Sequence, residues 1–234
     1  MRKYIPLLFV FGLLASCAPT RYVRPLKHKT HAAAASFGGP VIGFAGAVLP
    51  ILFTSIGYGY GFKPQLTGYA NLHTTSLLFG NFQTDIGICT KLWSNADERL
   101  QLTGNAGFNF AFNFKDGNPR VWPQLDLNAS YTLGKGKSFV YAGAGSWFEL
   151  SKIRAHEQPQ PSQVLLYPQI GFQLVRTKLS YTFELKGLQL GTPNTPNVVD
   201  YKGIGGKGAI GFYFGLNYRF GKPTEVRTTT PVNL

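Results

Sequence analysis

The stretch Leu100–Phe114, LQLTGNAGFNFAFNF, decides the fold of this chain. Apolar residues fill one set of alternate positions, and polar residues dominate the other set, which runs through Gln101, Asn105, Asn109 and Asn113. Successive side chains of a β-strand point to opposite faces, so the stretch predicts one strand with an apolar face and a polar face. Its 15 residues exceed the roughly five or six of a typical globular strand.

The same alternation recurs along the chain and predicts an all-β protein. It indicates about ten strands, with 8 or 12 also possible, at approximately 30–37, 54–62, 65–75, 82–92, 99–114, 119–133, 137–150, 163–175, 177–187 and 208–220. The connections at 63–64, 134–136 and 176 are tight, whereas those at 38–53, 151–162 and 188–207 are long. This asymmetry is typical of an antiparallel up-and-down transmembrane-type β-barrel, with short periplasmic turns and longer external loops.

Alternation alone does not decide which face of a barrel meets water, so a soluble, lipocalin-like periplasmic barrel remains an alternative. The polar face is rich in Gly, Asn, Gln, Ser and Thr and poor in the Lys and Glu of a solvated surface, which favours the membrane barrel. Aromatic residues near strand ends fit girdles at the two membrane interfaces: Phe62, Trp93, Phe114, Trp122, Tyr131, Phe139 and Phe220.

Composition narrows the function classes further. The chain has 28 Gly, 19 Phe and 12 Tyr with only 14% charged residues, which excludes a disordered charged tail. The longest apolar run, 41–53, is interrupted by glycine and proline and is too short for a membrane-spanning helix. The net charge of +13 is dispersed along the sequence, so lipid phosphates and lipopolysaccharide are more plausible acidic partners than nucleic acid.

The N-terminus carries a second membrane signal. Two basic residues precede an apolar run that ends in Leu14-Ala15-Ser16-Cys17. This tetrad resembles the lipobox of bacterial lipoproteins, which implies cleavage before Cys17 and acylation of that residue, with palmitate among the expected fatty acids. An ordinary secretory signal in which Cys17 is incidental is the alternative.

These signals predict four segments. Residues 1–16 are expected to be a lipoprotein signal peptide, 17–29 an N-terminal linker, 30–220 the barrel and 221–234 a C-terminal tail. With Cys17 acylated, Cys89 has no cysteine left to pair with, and we expect it to be a small packing residue.

The last predicted strand contains Gly215, Tyr218 and Phe220, a spacing that resembles the β-signal read by the outer-membrane assembly machinery. That resemblance implies this machinery as a partner, although the tail beyond the final aromatic departs from the pattern. The chain after its signal also resembles uncharacterised barrel-like lipoproteins of Bacteroidetes-type bacteria. The resemblance implies an architecture and no particular reaction.

If the apolar face meets lipid, the polar face lines a narrow interior. Charges in such an interior must pair, because an unpaired charge away from water is costly. We therefore expect a lumen filled by a polar network rather than an open channel, with these members: Asp85, Lys91, Asp126, Glu149, Glu184, Lys186 and Arg219.

Candidate chemistry is sparse. His73 and Ser76, with Asp85 on the next strand, could form a nucleophile, base and carboxylate at the external rim. The remaining histidines do not cluster with metal-ligand spacing, and no cofactor is expected. The sequence thus predicts a non-enzymatic, lipid-anchored outer-membrane barrel with a structural or accessory role at the cell envelope. The alternatives are a hydrolase at the external rim and a periplasmic ligand-binding barrel.

Overall fold

The computed structural model describes residues 22–115, 117–152, 159–160, 162–193 and 200–221. Cys17, the predicted signal peptide and nearly all of the predicted tail lie outside these residues.

The described chain forms eleven strands and one short helix, α1, at Thr74–Leu78. The strands are β1 His31–Phe44, β2 Ala47–Pro50, β3 Phe53–Lys63, β4 Leu66–His73, β5 Asn81–Ser94, β6 Leu100–Asn113, β7 Pro119–Thr132, β8 Phe139–Phe148, β9 Val164–Val175, β10 Leu179–Pro193 and β11 Lys207–Phe220. No helix in the described part of the chain is long and apolar enough to cross a membrane.

Ten of these strands close into an antiparallel barrel. From β3 to β11 each strand pairs with the next in sequence, and β1 pairs with β3 on one side and with β11 on the other. The closing seam runs from His31 opposite Phe220 to Pro40 opposite Gly211. The predicted fold class and the count of ten strands are therefore confirmed.

The eleventh strand, β2, belongs to a hairpin above the barrel wall. It pairs with the distal part of β1, from Val41 to Phe44. Ala45 and Gly46 link the two strands with φ angles of 48° and 82°. Two residues at positive φ make the type I′ turn, whose twist matches that of the flanking strands. Part of the long connection expected at 38–53 is thus regular structure.

The two ends of the barrel differ in their connections. One end, the turn end, carries the connections 64–65, 95–99, 133–138 and 176–178, as well as the start of β1 and the end of β11. The opposite end, the loop end, carries the β1–β2 hairpin, α1 and the connections 114–118, 149–163 and 194–206. The predicted asymmetry of short and long connections is confirmed.

Burial follows the alternation predicted from β6. Thr103 and Asn109 on its polar face are 0% exposed, whereas Phe108 on its apolar face is 41% exposed. The other strands repeat this arrangement, with outward residues such as Ile86, Leu127 and Ile170 exposed. The polar face lines the interior and the apolar face forms the outer surface of the barrel.

The aromatic side chains divide between these two faces. Phe62, Trp93, Tyr131 and Phe220 are exposed near the turn end, and Phe114 is exposed beside the loop end. The prediction was wrong for two others, because Trp122 and Phe139 are buried inside the barrel. Both stand in the inward set of alternate positions, and this parity, rather than their place at a strand end, determines where they lie.

Tyrosine rings fill much of the interior by packing over glycines of the neighbouring strand. Tyr141 lies opposite Gly171, and Tyr167 lies opposite Gly145. A Cβ atom added at either glycine would meet the ring of its tyrosine partner. The glycines on the inward face therefore make room for large side chains that fill the lumen.

Candidate functional site

The barrel interior is the candidate site, and its side chains lie in three layers. The N-terminal plug, Tyr22–Lys29, occupies the turn end. The polar layer in the middle contains two groups of charged and amide side chains. The aromatic layer near the loop end consists of buried residues that pack together, namely Trp122, Trp147, Tyr167, Leu188, Ala209 and Tyr213.

The plug consists of residues that the sequence predicted as a linker. Tyr22, Val23 and Leu26 are each less than 10% exposed. The Thr103 hydroxyl donates a 2.6 Å hydrogen bond to the carbonyl of Val23, and the amide of Leu26 donates a 2.7 Å bond to Thr67 Oγ1. These bonds join the segment to inward residues of β6 and β4, so it is part of the barrel interior.

Arg24 is the charged anchor of the plug. Its guanidinium donates to Ser130 Oγ and Thr132 Oγ1, both at 2.8 Å, and to the carbonyls of Arg99 and Ser130 at 3.2 Å. Its Cζ lies 4.2 Å from the centre of the Phe139 ring. Burial lowers the pKa of Arg24 to about 10, an effect that the Glu98 carboxylate opposes. Arg24 therefore stays cationic at neutral pH while four hydrogen bonds and an aromatic face replace its water.

The first group of the polar layer connects β4, β5 and β6. His73 Nε2 lies 3.0 Å from Asp85 Oδ2, and both residues are buried. The Asn109 amide donates to Asp85 Oδ1 and lies 3.4 Å from the same imidazole nitrogen. The side-chain amide of Gln83 donates through Nε2 to Asn109 Oδ1 at 3.1 Å, and its oxygen Oε1 accepts a 2.5 Å bond from the hydroxyl of Ser76.

This geometry bears on the predicted combination of His73, Ser76 and Asp85. The imidazole and the carboxylate meet, as the antiparallel neighbours β4 and β5 allow. Ser76, on α1, donates its proton to the side-chain amide of Gln83, which is not a base. Activation of a serine requires a general base at its hydroxyl, so the arrangement contains a histidine–carboxylate pair but not the relay of a serine hydrolase.

The second group of the polar layer connects β7 to β10. Tyr167 donates a 2.5 Å hydrogen bond to Asp126, and Tyr141 donates a 2.7 Å bond to Glu184. Lys186 Nζ lies 3.5 Å from Glu184 Oε1 and 4.6 Å from the centre of the Tyr167 ring. Each of the two carboxylates thus accepts a bond from a tyrosine hydroxyl, and the ammonium group lies near one of the two tyrosine rings.

The other three residues predicted for the lumen network lie outside the polar layer. Glu149, next to the aromatic layer, accepts a 2.7 Å bond from the indole nitrogen of Trp122. Lys91 and Arg219 lie at the turn end, where Lys91 Nζ is 2.7 Å from Glu98 and Arg219 donates to the carbonyl of Arg176. The structure therefore brings Asp85, Asp126, Glu184 and Lys186 into the polar layer, but not Lys91, Glu149 or Arg219.

Sequence reasoning missed several partners in these layers. Tyr141 and Tyr167 occupy inward positions of β8 and β9, so strand parity could have found them. Arg24 and Val23 precede the first strand, and no local pattern assigned them to the interior. Among the described residues, no group of three or more His, Cys, Asp or Glu side chains is placed to hold a metal ion.

No family model and no curated protein matches the sequence of this chain. Solved structures similar to it include the translocator domain of the autotransporter NalP from Neisseria meningitidis, at 11% identity and a TM-score of 0.44. That match covers 82% of this chain and 88% of the NalP chain. The transport unit of the autotransporter AIDA-I from Escherichia coli has 9% identity, 92% and 97% coverage, and a TM-score of 0.43.

The outer membrane protease OmpT from Escherichia coli is similar at 10% identity, with 86% of this chain and 100% of that chain covered and a TM-score of 0.36. All three TM-scores lie below 0.5. The barrel architecture is therefore assigned from the strand pairings of this chain alone.

Proposed function

We propose that this chain is a lipid-anchored outer-membrane β-barrel with a structural or accessory role at the cell envelope, and that its lumen is closed. The observation that carries the proposal is the polarity of the barrel wall. Large apolar side chains form its exterior, while amides, hydroxyls and charges line its interior. A soluble ligand-binding barrel requires the opposite polarity, so this contrast argues against the periplasmic alternative.

The dimensions of the wall agree with a membrane location. Several strands have 14 residues, a length that rises about 35 Å along the axis at a tilt of about 40°. The apolar band of such barrels is about 25 Å tall. A shallow apolar cavity of about 910 Å³ on the outer surface, lined by Phe37, Ile170, Phe183 and Phe212 among others, offers space for acyl chains.

The position of the plug supports an anchor on Cys17 at the turn end. Cys17 precedes the buried Tyr22 by five residues, a span of at most about 18 Å. Acyl chains on Cys17 would therefore enter the leaflet nearest the turn end. The turn end is then the periplasmic side, because outer-membrane barrels have their short turns on that side.

The β-signal residues support the outer-membrane assembly machinery as a partner. Gly215, Tyr218 and Phe220 lie on β11, and Tyr218 and Phe220 point outward with more than 40% exposure. β11 is also the strand that closes the barrel against β1. Before closure, this strand presents an unpaired edge that another protein can bind.

A non-enzymatic role is part of the proposal, and the bonding of Ser76 supports it. The histidine–carboxylate pair of His73 and Asp85 is the feature that favours the hydrolase alternative. Both side chains are buried, and they bridge strands β4 and β5. A bridge of this kind stabilises the wall of the barrel without any chemistry.

The polarity of the wall can be measured with single cysteines at positions 108 and 109 in a Cys89→Ala background. After reconstitution into vesicles, a thiol reagent dissolved in the lipid phase is expected to react at position 108 at least tenfold faster than at 109, because Phe108 faces outward and Asn109 inward. Positions 127 and 128 on β7 form a second, matched pair. Reaction at 109 and 128 but not at 108 and 127 would contradict a membrane barrel.

The closure of the lumen can be measured by ion conductance across a planar bilayer. The intact chain is expected to give no steady current. The variant Tyr22→Gly/Val23→Gly/Arg24→Gly should conduct and should lose about 2–5 kcal/mol of stability, since it removes buried apolar groups and charged hydrogen bonds. Lys27→Gly/Lys29→Gly is the control, because both lysines are exposed and Lys29 already has a φ of 57°. A conducting wild type would refute the closed lumen.

The anchor can be tested with Cys17→Ala and radiolabelled palmitate. We expect the wild type to incorporate label and the variant to incorporate none. The variant should still fractionate with the outer membrane, because the barrel itself spans it. A wild type that carries no label would show that Cys17 is not acylated. An unlabelled variant found in the soluble periplasm would show that the acyl chains alone hold the chain in the membrane.

The absence of catalysis can be tested with His73→Ala and, as a control, with the exposed-turn variant Asp97→Ala. Both variants and the wild type are expected to give identical background rates on phospholipid, lipid A and peptide substrates. A wild-type activity that falls by about a hundredfold or more in His73→Ala alone would establish the hydrolase alternative instead.

A further inference from the structure

Basic residues that are dispersed in the sequence gather at the turn end of the barrel. This rim contains the following cations: Lys27, Lys29, Lys63, Lys91, Arg99, Lys135, Lys137, Arg176, Lys178 and Arg219. The acidic residues described at the same end are Asp97 and Glu98, and Glu98 is paired with Lys91. The rim therefore has a large excess of positive charge.

The loop end shows much less imbalance among the residues that the structure describes there. Its cations are Lys115, Arg120, Lys152, Lys202 and Lys207. Lys202 is paired with Asp200 at 2.6 Å, and Glu149 is a second acid at this end. The two ends of the barrel thus differ in charge as well as in the length of their connections.

The cations of the rim lie at the same level as its exposed aromatic side chains. The Arg99 guanidinium carbon is 5.8 Å from the centre of the outward Tyr131 ring. Lys63 directly follows Phe62, which is 52% exposed, and Arg219 stands between Tyr218 and Phe220. The headgroup layer of a bilayer is about 5–7 Å thick on each side of the hydrocarbon. Cations this close to an aromatic girdle therefore lie within that layer.

Some of these cations are held in place by hydrogen bonds, whereas others are exposed and extend into solvent. Arg99 donates a 2.8 Å bond to the carbonyl of Gly134, and Arg219 donates to the carbonyl of Arg176, so both arginines brace neighbouring turns. Lys135, Lys137, Arg176 and Lys178 are exposed on those same turns. Long basic side chains on a rigid rim can extend toward phosphates at the level of the headgroups.

We propose that this rim binds the headgroups of anionic glycerophospholipids in the leaflet that surrounds the turn end. The proposal rests on the proposed function, because it requires the barrel to span a membrane. It goes further in giving the two ends different lipid preferences. The anionic phosphodiester supplies the charge complement, and the aromatic girdle fixes the rim at the depth of that phosphate. A barrel so bound is held at one depth and one orientation in an asymmetric membrane.

The test compares two charge variants of the full-length chain. The rim variant is Lys135→Gln/Lys137→Gln/Arg176→Gln/Lys178→Gln, and the control is Lys115→Gln/Arg120→Gln/Lys152→Gln/Lys207→Gln, which removes equal charge from the loop end. All of these side chains are exposed, so both variants should fold. Native mass spectrometry of the detergent-solubilised barrel, titrated with phosphatidylglycerol, phosphatidylcholine or lipid A, gives the lipid affinities.

Wild type is expected to prefer phosphatidylglycerol to phosphatidylcholine, and the rim variant should bind phosphatidylglycerol about tenfold more weakly. The loop-end control should stay within about twofold of wild type. Equal losses in both variants, no preference in wild type, or a rim that binds only lipid A would overturn the proposal. Cysteine labelling at positions 108 and 109 separates the failures: outward labelling without phosphatidylglycerol preference rejects the rim site alone, whereas inward labelling rejects the membrane barrel itself.

Discussion

The pairing of β1 with β11 is the interaction on which the rest of the molecule depends. Without it, the sheet would have two edges with unpaired amide and carbonyl groups, and such groups are costly wherever water does not reach them. The seam from His31 to Pro40 satisfies both edges along most of the barrel height. Closure at ten strands also fixes the circumference, and an interior of that size is one that side chains can fill.

The closed wall determines how the interior must be built. Polar residues on the inward face enter a narrow space where their neighbours are other side chains, and a charge placed there without a partner is costly. Tyr141 and Tyr167 contribute to this interior in two ways. Their rings fill space over glycines, and their hydroxyls donate hydrogen bonds to Glu184 and Asp126. The plug completes the filling at the turn end, where the Arg24 cation donates to hydroxyl groups at the end of β7 and to a carbonyl of the 95–99 turn.

The parts of the fold that were predictable from sequence are those encoded by local alternation. A period of two specifies a strand and its two faces, so the ten strands and the inward position of Asp85 followed from a few neighbouring residues. The pair of His73 and Asp85 was also accessible, since adjacent antiparallel strands bring together residues only 12 apart. Ser76 could not be placed in this way, because the short helix α1 turns its hydroxyl toward Gln83.

The plug was not predictable because its contacts are distant in sequence. Val23 bonds to a residue 80 positions away, and Arg24 bonds to one 106 positions away. A basic stretch before the first strand has the composition of a solvated linker, and only the closed barrel provides the pocket that buries it. The hairpin at β2 was missed for a different reason, since Gly46 and Pro50 indicate a loop while the positive φ of Ala45 and Gly46 makes a tight turn.

The charge of the rim shows how topology can create a surface that composition hides. In an up-and-down barrel every second connection returns to the same end, so one basic turn per hairpin is enough to build a ring of cations. Lys63, Arg99, Lys135 and Arg176 each belong to, or flank, a different connection of this kind, and Arg219 lies near the end of β11 at the same end of the barrel. Their wide spacing makes the charge look diffuse along the chain. The antiparallel pairing that satisfies the backbone is thus also what concentrates the positive charge at one end of the barrel.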